Sequence, residues 1–199
     1  GWKTAPVDLT NDGRDIASTN FNGKPIIVFT DAVRGTLRIA IWNGLVWKKT
    51  TIDGAGGSAG RTKNKVAGHI SLCTSGAGVN QKLHIFYPDA IDRDLRYAQY
   101  DGKTFTFEVV DGNGPTIQNY EIPDRVRTAS DVSISSACAI TPAGVSVFYR
   151  DESQGILLGA TKRLNTTKWV YELLDGDRKT DNRSTGDVAF HLAAYVNKA

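Results

Sequence analysis

No stretch of 18 apolar residues occurs in the chain, which excludes a helical membrane span. Neither sign of charge dominates. The 24 Lys+Arg against 21 Asp+Glu leave a net +3, too small a basic excess for a general nucleic-acid binder. Histidine is scarce: His69, His84 and His191 show no H-x-H or H-E-x-x-H spacing, so no metal centre is expected. There is no G-x-S-x-G nucleophile elbow and no sialidase-type S-x-D-x-G-x-T-W turn. The Gly-rich stretch at 54–65 lacks the spacing and the lysine of a phosphate loop, and no cofactor is expected. Two cysteines are too few for a disulfide framework. Cys73 and Cys138 could pair once or both be buried thiols, and the second arrangement is the one expected. The opening Gly-Trp-Lys carries no signal-peptide pattern, which a mature secreted chain would also lack.

What is present is a globular composition and a repeat. The 199 residues are 40% hydrophobic and 23% charged, enough for one large domain or two small ones. Three segments align without gaps over their first half: IIVFTDAVRGTLRIAIWNG, HIFYPDAIDRDLRYAQYDG and SVFYRDESQGILLGATK. Asp31, Asp89 and Asp151 begin a turn in each, followed at fixed distances by Leu37, Leu95 and Leu157 and then by Ala40, Ala98 and Ala160. Further on, Trp47, Phe105 and Trp169 precede the Asp-Gly pairs at Asp53, Asp111 and Asp175. Short β-like runs precede each block, beginning at Asp15, His69, Asp131 and Asp187, with periods of 54, 62 and 56 residues. Each unit holds four strand-sized segments rich in Val, Ile, Thr, Phe and Tyr and broken by Gly, Asp, Asn and Pro; helical periodicity is not sustained.

Four short antiparallel strands per 50–60 residues, repeated in tandem, predict an all-β β-propeller. The expected organisation is three full blades at 14–54, 68–112 and 131–176. An orphan strand flanks them at each end: 1–8 as the last strand of a preceding blade and 187–196 as the first strand of a further one. The recurring aromatic of the fourth strand is expected to pack between blades. The recurring Asp after the second strand is expected to cap its turn by accepting backbone N–H bonds. Three blades do not close a ring, so the partner expected is a second copy of the chain or a different chain that completes the propeller. Two copies would supply six full blades.

The segment LHIFYPDAIDRDLRYAQYDG (83–102) resembles the unit of propellers found in secreted or surface bacterial proteins. The segment VSVFYRDESQGIL (145–157) is similar to the unit of fungal fucose-lectin-type propellers. The second resemblance implies a sugar held between blades by an Arg on the second strand and a Glu on the third. Here the second-strand positions are Ile27, Ile85 and Val147, and the third-strand positions are Arg38, Arg96 and Leu158, so the glutamate is missing.

The candidate site residues come from two patterns. The connections at 54–67, 113–130 and 177–186 hold eight basic and four acidic residues in 42, among them Arg61, Arg125, Arg127 and Arg178. Placed on one face near the channel mouth, they would attract an anionic ligand such as an acidic sugar. Trp42 and Tyr100 occupy the same point of the third strand, where a ring could stack on the apolar face of a pyranose; Arg38 and Arg96 lie on the same strands. The reading is a non-catalytic, lectin-like module, secreted or at the cell surface, that binds carbohydrate and neither nucleic acid nor membrane. The alternatives are a glycan hydrolase or lyase with its site at the channel mouth, or a protein-interaction segment of a larger surface protein or toxin.

Overall fold

The computed structural model describes residues 6–7, 13–116, 120, 125–163, 166–176 and 182–196. They form three four-stranded antiparallel sheets in which strand order follows chain order. Blade 1 comprises β1 (Gly13–Phe21), β2 (Lys24–Asp31), β3 (Thr36–Trp42) and β4 (Trp47–Asp53). Blade 2 comprises β5 (Ser71–Ser75), β6 (Lys82–Asp89), β7 (Asp94–Tyr100) and β8 (Phe105–Asp111). Blade 3 comprises β9 (Ser136–Thr141), β10 (Gly144–Asp151), β11 (Ile156–Arg163) and β12 (Trp169–Asp175). The only helix among the described residues is one 3-10 turn at Gly78–Asn80. The all-β propeller-type architecture expected from the repeat is what the chain adopts. The first strands are innermost, with β5 against both β1 and β9.

Local chemistry explains the strand boundaries. Asn22 and Gly23 both take positive φ (50° and 72°), the two-residue turn that matches strand twist and needs Asn-Gly. As expected, the repeated aspartates cap the turn between second and third strands: Asp31 Oδ1 accepts the Arg34 N–H, Asp89 Oδ1 those of Ile91 and Asp92, and Asp151 Oδ1 that of Gln154. The third and fourth strands slip register at Leu37/Arg38, Leu95/Arg96 and Leu157/Leu158. A bulge recurring at one place bends the strand end in the same way in every blade and aims the following Asp53, Asp111 or Asp175.

The core lies between blades. One apolar cluster joins Ile26, Val28, Leu37, Ile39 and Ile52 of blade 1 to Leu83, Ile85, Tyr87 and Ala98 of blade 2, with Phe105 and Phe107 packed against it. The second joins Phe86, Leu95, Tyr97 and Val110 of blade 2 to Val147, Tyr149, Leu158 and Ala160 of blade 3, with Trp169 packed against it. A sheet buried on both faces must lose its strict polar alternation, which is why the second and third strands read as nearly continuous apolar runs.

Three expectations need correction. Cys73 and Cys138 are not thiols. They form a disulfide, with Cα atoms 5.8 Å apart, that ties β5 to β9 across the second blade junction. The first strands of blades 2 and 3 begin at Ser71 and Ser136, not at His69 and Asp131. The Asp131-Val132 run belongs instead to a strap. Val66 and Val132 donate their N–H groups to the carbonyls of Gly35 and Arg93 in the turn of the preceding blade, and both are fully buried. Val188 makes the same bond to Gly155. Residues 187–196 therefore begin as a strap, and they carry no strand. Of the expected strand at 1–8, only Pro6 and Val7 are described, and they are not in a strand.

Candidate functional site

Each blade junction is locked by a carboxylate. Asp53 Oδ1 accepts the N–H groups of Gly54 and Thr62, and its Oδ2 accepts the Tyr87 hydroxyl at 2.6 Å and Arg96 Nε at 3.3 Å from blade 2. Asp111 repeats the arrangement with Gly112, Thr128, Tyr149 and Arg125. Burial, with the facing carboxylate next, pushes the Tyr87 and Tyr149 hydroxyls well above their ordinary pKa, so both remain donors. The arginine comes from β7 at the first junction and from the connecting loop at the second, where the β11 position is Leu158. Two routes thus deliver one cation to one buried anion, as a buried charge requires.

Two of the arginines expected to meet ligand, Arg96 and Arg125, are therefore turned into the protein. Arg96 also donates to the Gly60 carbonyl, and Arg125 lies 4.3 Å over the Tyr171 ring. Arg38 lies beside Asp31 at 3.5 Å and 5.9 Å over Phe29. Trp42 and Tyr100 are half-buried across the outer hairpins: Trp42 packs on Trp47 (5.4 Å), and Tyr100 stacks on Phe105 (4.4 Å) and meets Phe21 of blade 1. Arg61 and Arg127 occupy equivalent places, one residue before Thr62 and Thr128, and line grooves between the outer strands of neighbouring blades rather than a channel mouth. Arg178 lies outside the described residues.

The two grooves differ in size and charge. The one between blades 1 and 2, about 410 Å³, is lined by Ile39, Ile41, Thr50, Arg61, Tyr100 and Phe105. The one between blades 2 and 3, about 900 Å³, is lined by Glu108, Arg125, Arg127, Lys168, Trp169 and Tyr171. Glu108 projects from β8 and is held by blade 3: Trp169 Nε1 donates to its Oε2 at 2.9 Å, and Lys162 Nζ donates to its Oε1. The Trp169 ring stands edge-on to Tyr97 at 5.3 Å and to Phe86 at 6.0 Å. An ionised carboxylate has about four acceptor positions, so Glu108 keeps capacity for two ligand hydroxyls after these bonds.

Glu108, Lys162, Lys168 and Trp169 were not among the candidate site residues read from the sequence, where Trp169 was expected only to pack between blades. The signal was available: Thr50, Glu108 and Glu172 each stand three residues before the recurring Asp-Gly. A Ser75–His84–Tyr97 line also occurs, with His84 Nε2 2.8 Å from Ser75 Oγ and Nδ1 2.7 Å from Tyr97 OH. Burial, helped by Lys82 and Lys162, lowers the His84 pKa to about 4. A base that weak has little driving force to activate a serine hydroxyl near neutral pH.

No family model matches the chain, and no curated protein matches it. Among solved structures it is similar to a fucose-specific lectin from Aleuria aurantia (Hg-derivative form), with 16% identity and a TM-score of 0.48 over 81% of this chain. The chain spans 44% of that one, and at this identity the likeness is one of fold.

Proposed function

We propose that the protein is a non-catalytic, lectin-like module that holds carbohydrate in the outer groove between blades 2 and 3. The observation that carries this reading is the Glu108–Trp169 pair. A carboxylate with spare acceptor capacity is fixed beside an aromatic ring, the combination that takes a sugar's hydroxyls on one side and its apolar C–H face on the other. Arg127 and Lys168 on the groove wall favour an acidic sugar over a neutral one. The Cys73–Cys138 disulfide supports a secreted or cell-surface location, since such bonds persist in oxidising compartments. An array of neutral and acidic glycans, probed with wild-type protein and with Glu108→Gln, tests the reading. Retention of acidic glycans by the wild type and at least tenfold weaker retention by the variant are expected. An array on which the wild type retains nothing overturns it.

A further inference from the structure

The groove between blades 1 and 2 occupies the same place in the fold as the groove between blades 2 and 3, with one set of groups exchanged for another. On the preceding blade's wall, Glu108 pairs with Tyr97 at the second groove, and Thr50 pairs with Ile39 at the first. On the facing wall, Trp169 pairs with Lys162 at the second groove, and Phe105 pairs with Tyr100 at the first. The carboxylate, the indole and the ammonium group of the second groove are thus a threonine, a phenyl ring and a phenol ring at the first. The hydroxyl of that phenol is spent, since Tyr100 donates it to the Gly102 carbonyl at 2.9 Å.

What remains is a floor of rings. Tyr100 meets Phe21 at 5.5 Å and stacks on Phe105 at 4.4 Å, and Phe105 stacks on Phe107 at 6.3 Å. Ile39 and Ile41 of blade 1 line the other side of a space of about 410 Å³, within the range of pockets that take small organic ligands.

The cations are kept. Arg61, the counterpart of Arg127, lies 5.6 Å over the Phe107 ring, and Lys103 lines the groove from the hairpin before Phe105. Both are exposed, and neither forms an ion pair among the described residues. Lys48 pairs with Ile41 across β3–β4 and adds a third positive charge on the same face of blade 1. No carboxylate lines this groove, and that of Asp101, in the Lys103 hairpin, is occupied by the N–H groups of Lys103 and Thr104. A sugar entering here would desolvate hydroxyls without gaining an acceptor for them, which disfavours it. A flat, apolar and negatively charged molecule meets rings with its body and a cation with its charge.

We infer that the groove between blades 1 and 2 binds a small aromatic anion, a flat ring system carrying a carboxylate or sulfate group, with its ring against Tyr100 and Phe105 and its anionic group on Arg61. This is a second site with chemistry different from that of the groove between blades 2 and 3, and it does not rest on the carbohydrate reading.

The test is a fluorescence titration of the full chain with anilinonaphthalene sulfonate, for the wild type, Arg61→Gln and Thr50→Glu. Both positions are exposed, so both variants are expected to keep the far-ultraviolet circular dichroism of the wild type. The wild type is expected to bind one equivalent of the probe saturably. Arg61→Gln removes the partner of the anionic group, and Thr50→Glu sets a carboxylate on the wall; each is expected to weaken binding at least tenfold. Naphthoate is expected to displace the probe, and uncharged naphthylmethanol to do so at least tenfold less well. A wild type that takes up no probe overturns the inference. So does an affinity indifferent to either substitution, which puts the probe elsewhere. Equal displacement by naphthylmethanol also overturns it, because the groove would then be an apolar surface without charge selection. Every reading is taken without a glycan, so failure of this site and failure of the carbohydrate proposal are separable.

Discussion

The Tyr87 hydroxyl, on the second strand of blade 2, donates at 2.6 Å to Asp53 Oδ2, on the last strand of blade 1. With Gly54, Thr62 and Arg96 the carboxylate receives four donors, and neither Asp53 nor Tyr87 is exposed. A buried anion so fully satisfied stabilises the junction only as a set. Tyr87→Phe removes one donor of four and is expected to cost about 1–2 kcal/mol. Asp53→Ala leaves Arg96 buried without its ion-pair partner and is expected to cost about 3–5 kcal/mol. Urea unfolding of both variants checks the ordering; equal losses would contradict it.

The disulfide lies between the inner strands of different blades, closing a loop of 65 residues. Chain-entropy arguments put such a cross-link at about 4 kcal/mol, through restriction of the unfolded chain. Cys73→Ser with Cys138→Ser is expected to lower the melting temperature by several degrees while leaving the circular dichroism of the folded state unchanged. Calorimetry on the double variant, and on wild type with and without reductant, reads this directly.

Two buried groups make stability depend on pH in opposite senses. His84 is lowered from its ordinary 6.5 to about 4, first by burial and then by Lys82 and Lys162. Between those values the unfolded chain binds the proton and the folded one does not. Stability therefore falls as pH drops from 6.5 to 4, by up to about 3 kcal/mol. Asp94 is raised from 3.8 to about 7, first by burial and then by Asp89 and Asp92, with Arg127 and Arg96 opposing, and its Oδ1 has no hydrogen-bond partner among the described residues. There the folded chain binds the proton and the unfolded one does not, so stability falls as pH rises from 3.8 to 7.

The two slopes largely cancel in the wild type between pH 4 and 6.5. Asp94→Asn removes one of them. It is expected to add about 2 kcal/mol at pH 8, to add almost nothing at pH 4, and to leave a stability that rises with pH up to 6.5. Urea midpoints at pH 4, 6 and 8 measure all three effects; a variant no more stable than wild type at pH 8 would contradict the assignment.

Much of the fold was legible because each repeat carries the same turn chemistry. Asp31, Asp89 and Asp151 cap identical turns, and Asp53, Asp111 and Asp175 recur at identical bulges, so the four-strand antiparallel make-up of the repeats could be read, while the further strand expected at 187–196 does not form. The third first strand was misplaced because Asp131-Val132 mimics a strand start while its N–H is spent on the neighbouring turn, a contact with no local signature. The cysteine pairing was not legible either. Cys73 faces His84 and Cys138 faces Val147, positions that are not equivalent between repeats, so alignment does not bring them together. Arg96 and Arg125 looked like ligand contacts because a sequence shows charge but not the buried aspartate that consumes it. Glu108 was overlooked for the opposite reason, as a lone acidic residue whose partners, Trp169 and Lys162, lie more than 50 residues away.

Charge on the groove wall has a consequence for ionic strength. Arg127 is half-buried beside Lys168 and Trp169, and attraction between such groups and an anionic sugar is screened over about 8 Å at physiological salt. Arg127→Ala is expected to weaken retention of acidic glycans on the array several-fold at 50 mM salt and less at 500 mM, with neutral glycans unaffected. Salt-independent losses would place Arg127 outside the binding surface.

The binding proposal is tested most directly by the indole N–H signals of the four tryptophans in a nitrogen–proton spectrum. They would be recorded while a glycan retained on the array is titrated in, with Trp169→Phe supplying the assignment. The Trp169 Nε1–H sits on Glu108, so a sugar that reaches the carboxylate must move that resonance, and a progressive, saturable shift of it is predicted. A Trp169 signal that stays fixed while the glycan binds would show that the ligand lies elsewhere and that the groove between blades 2 and 3 is not its site.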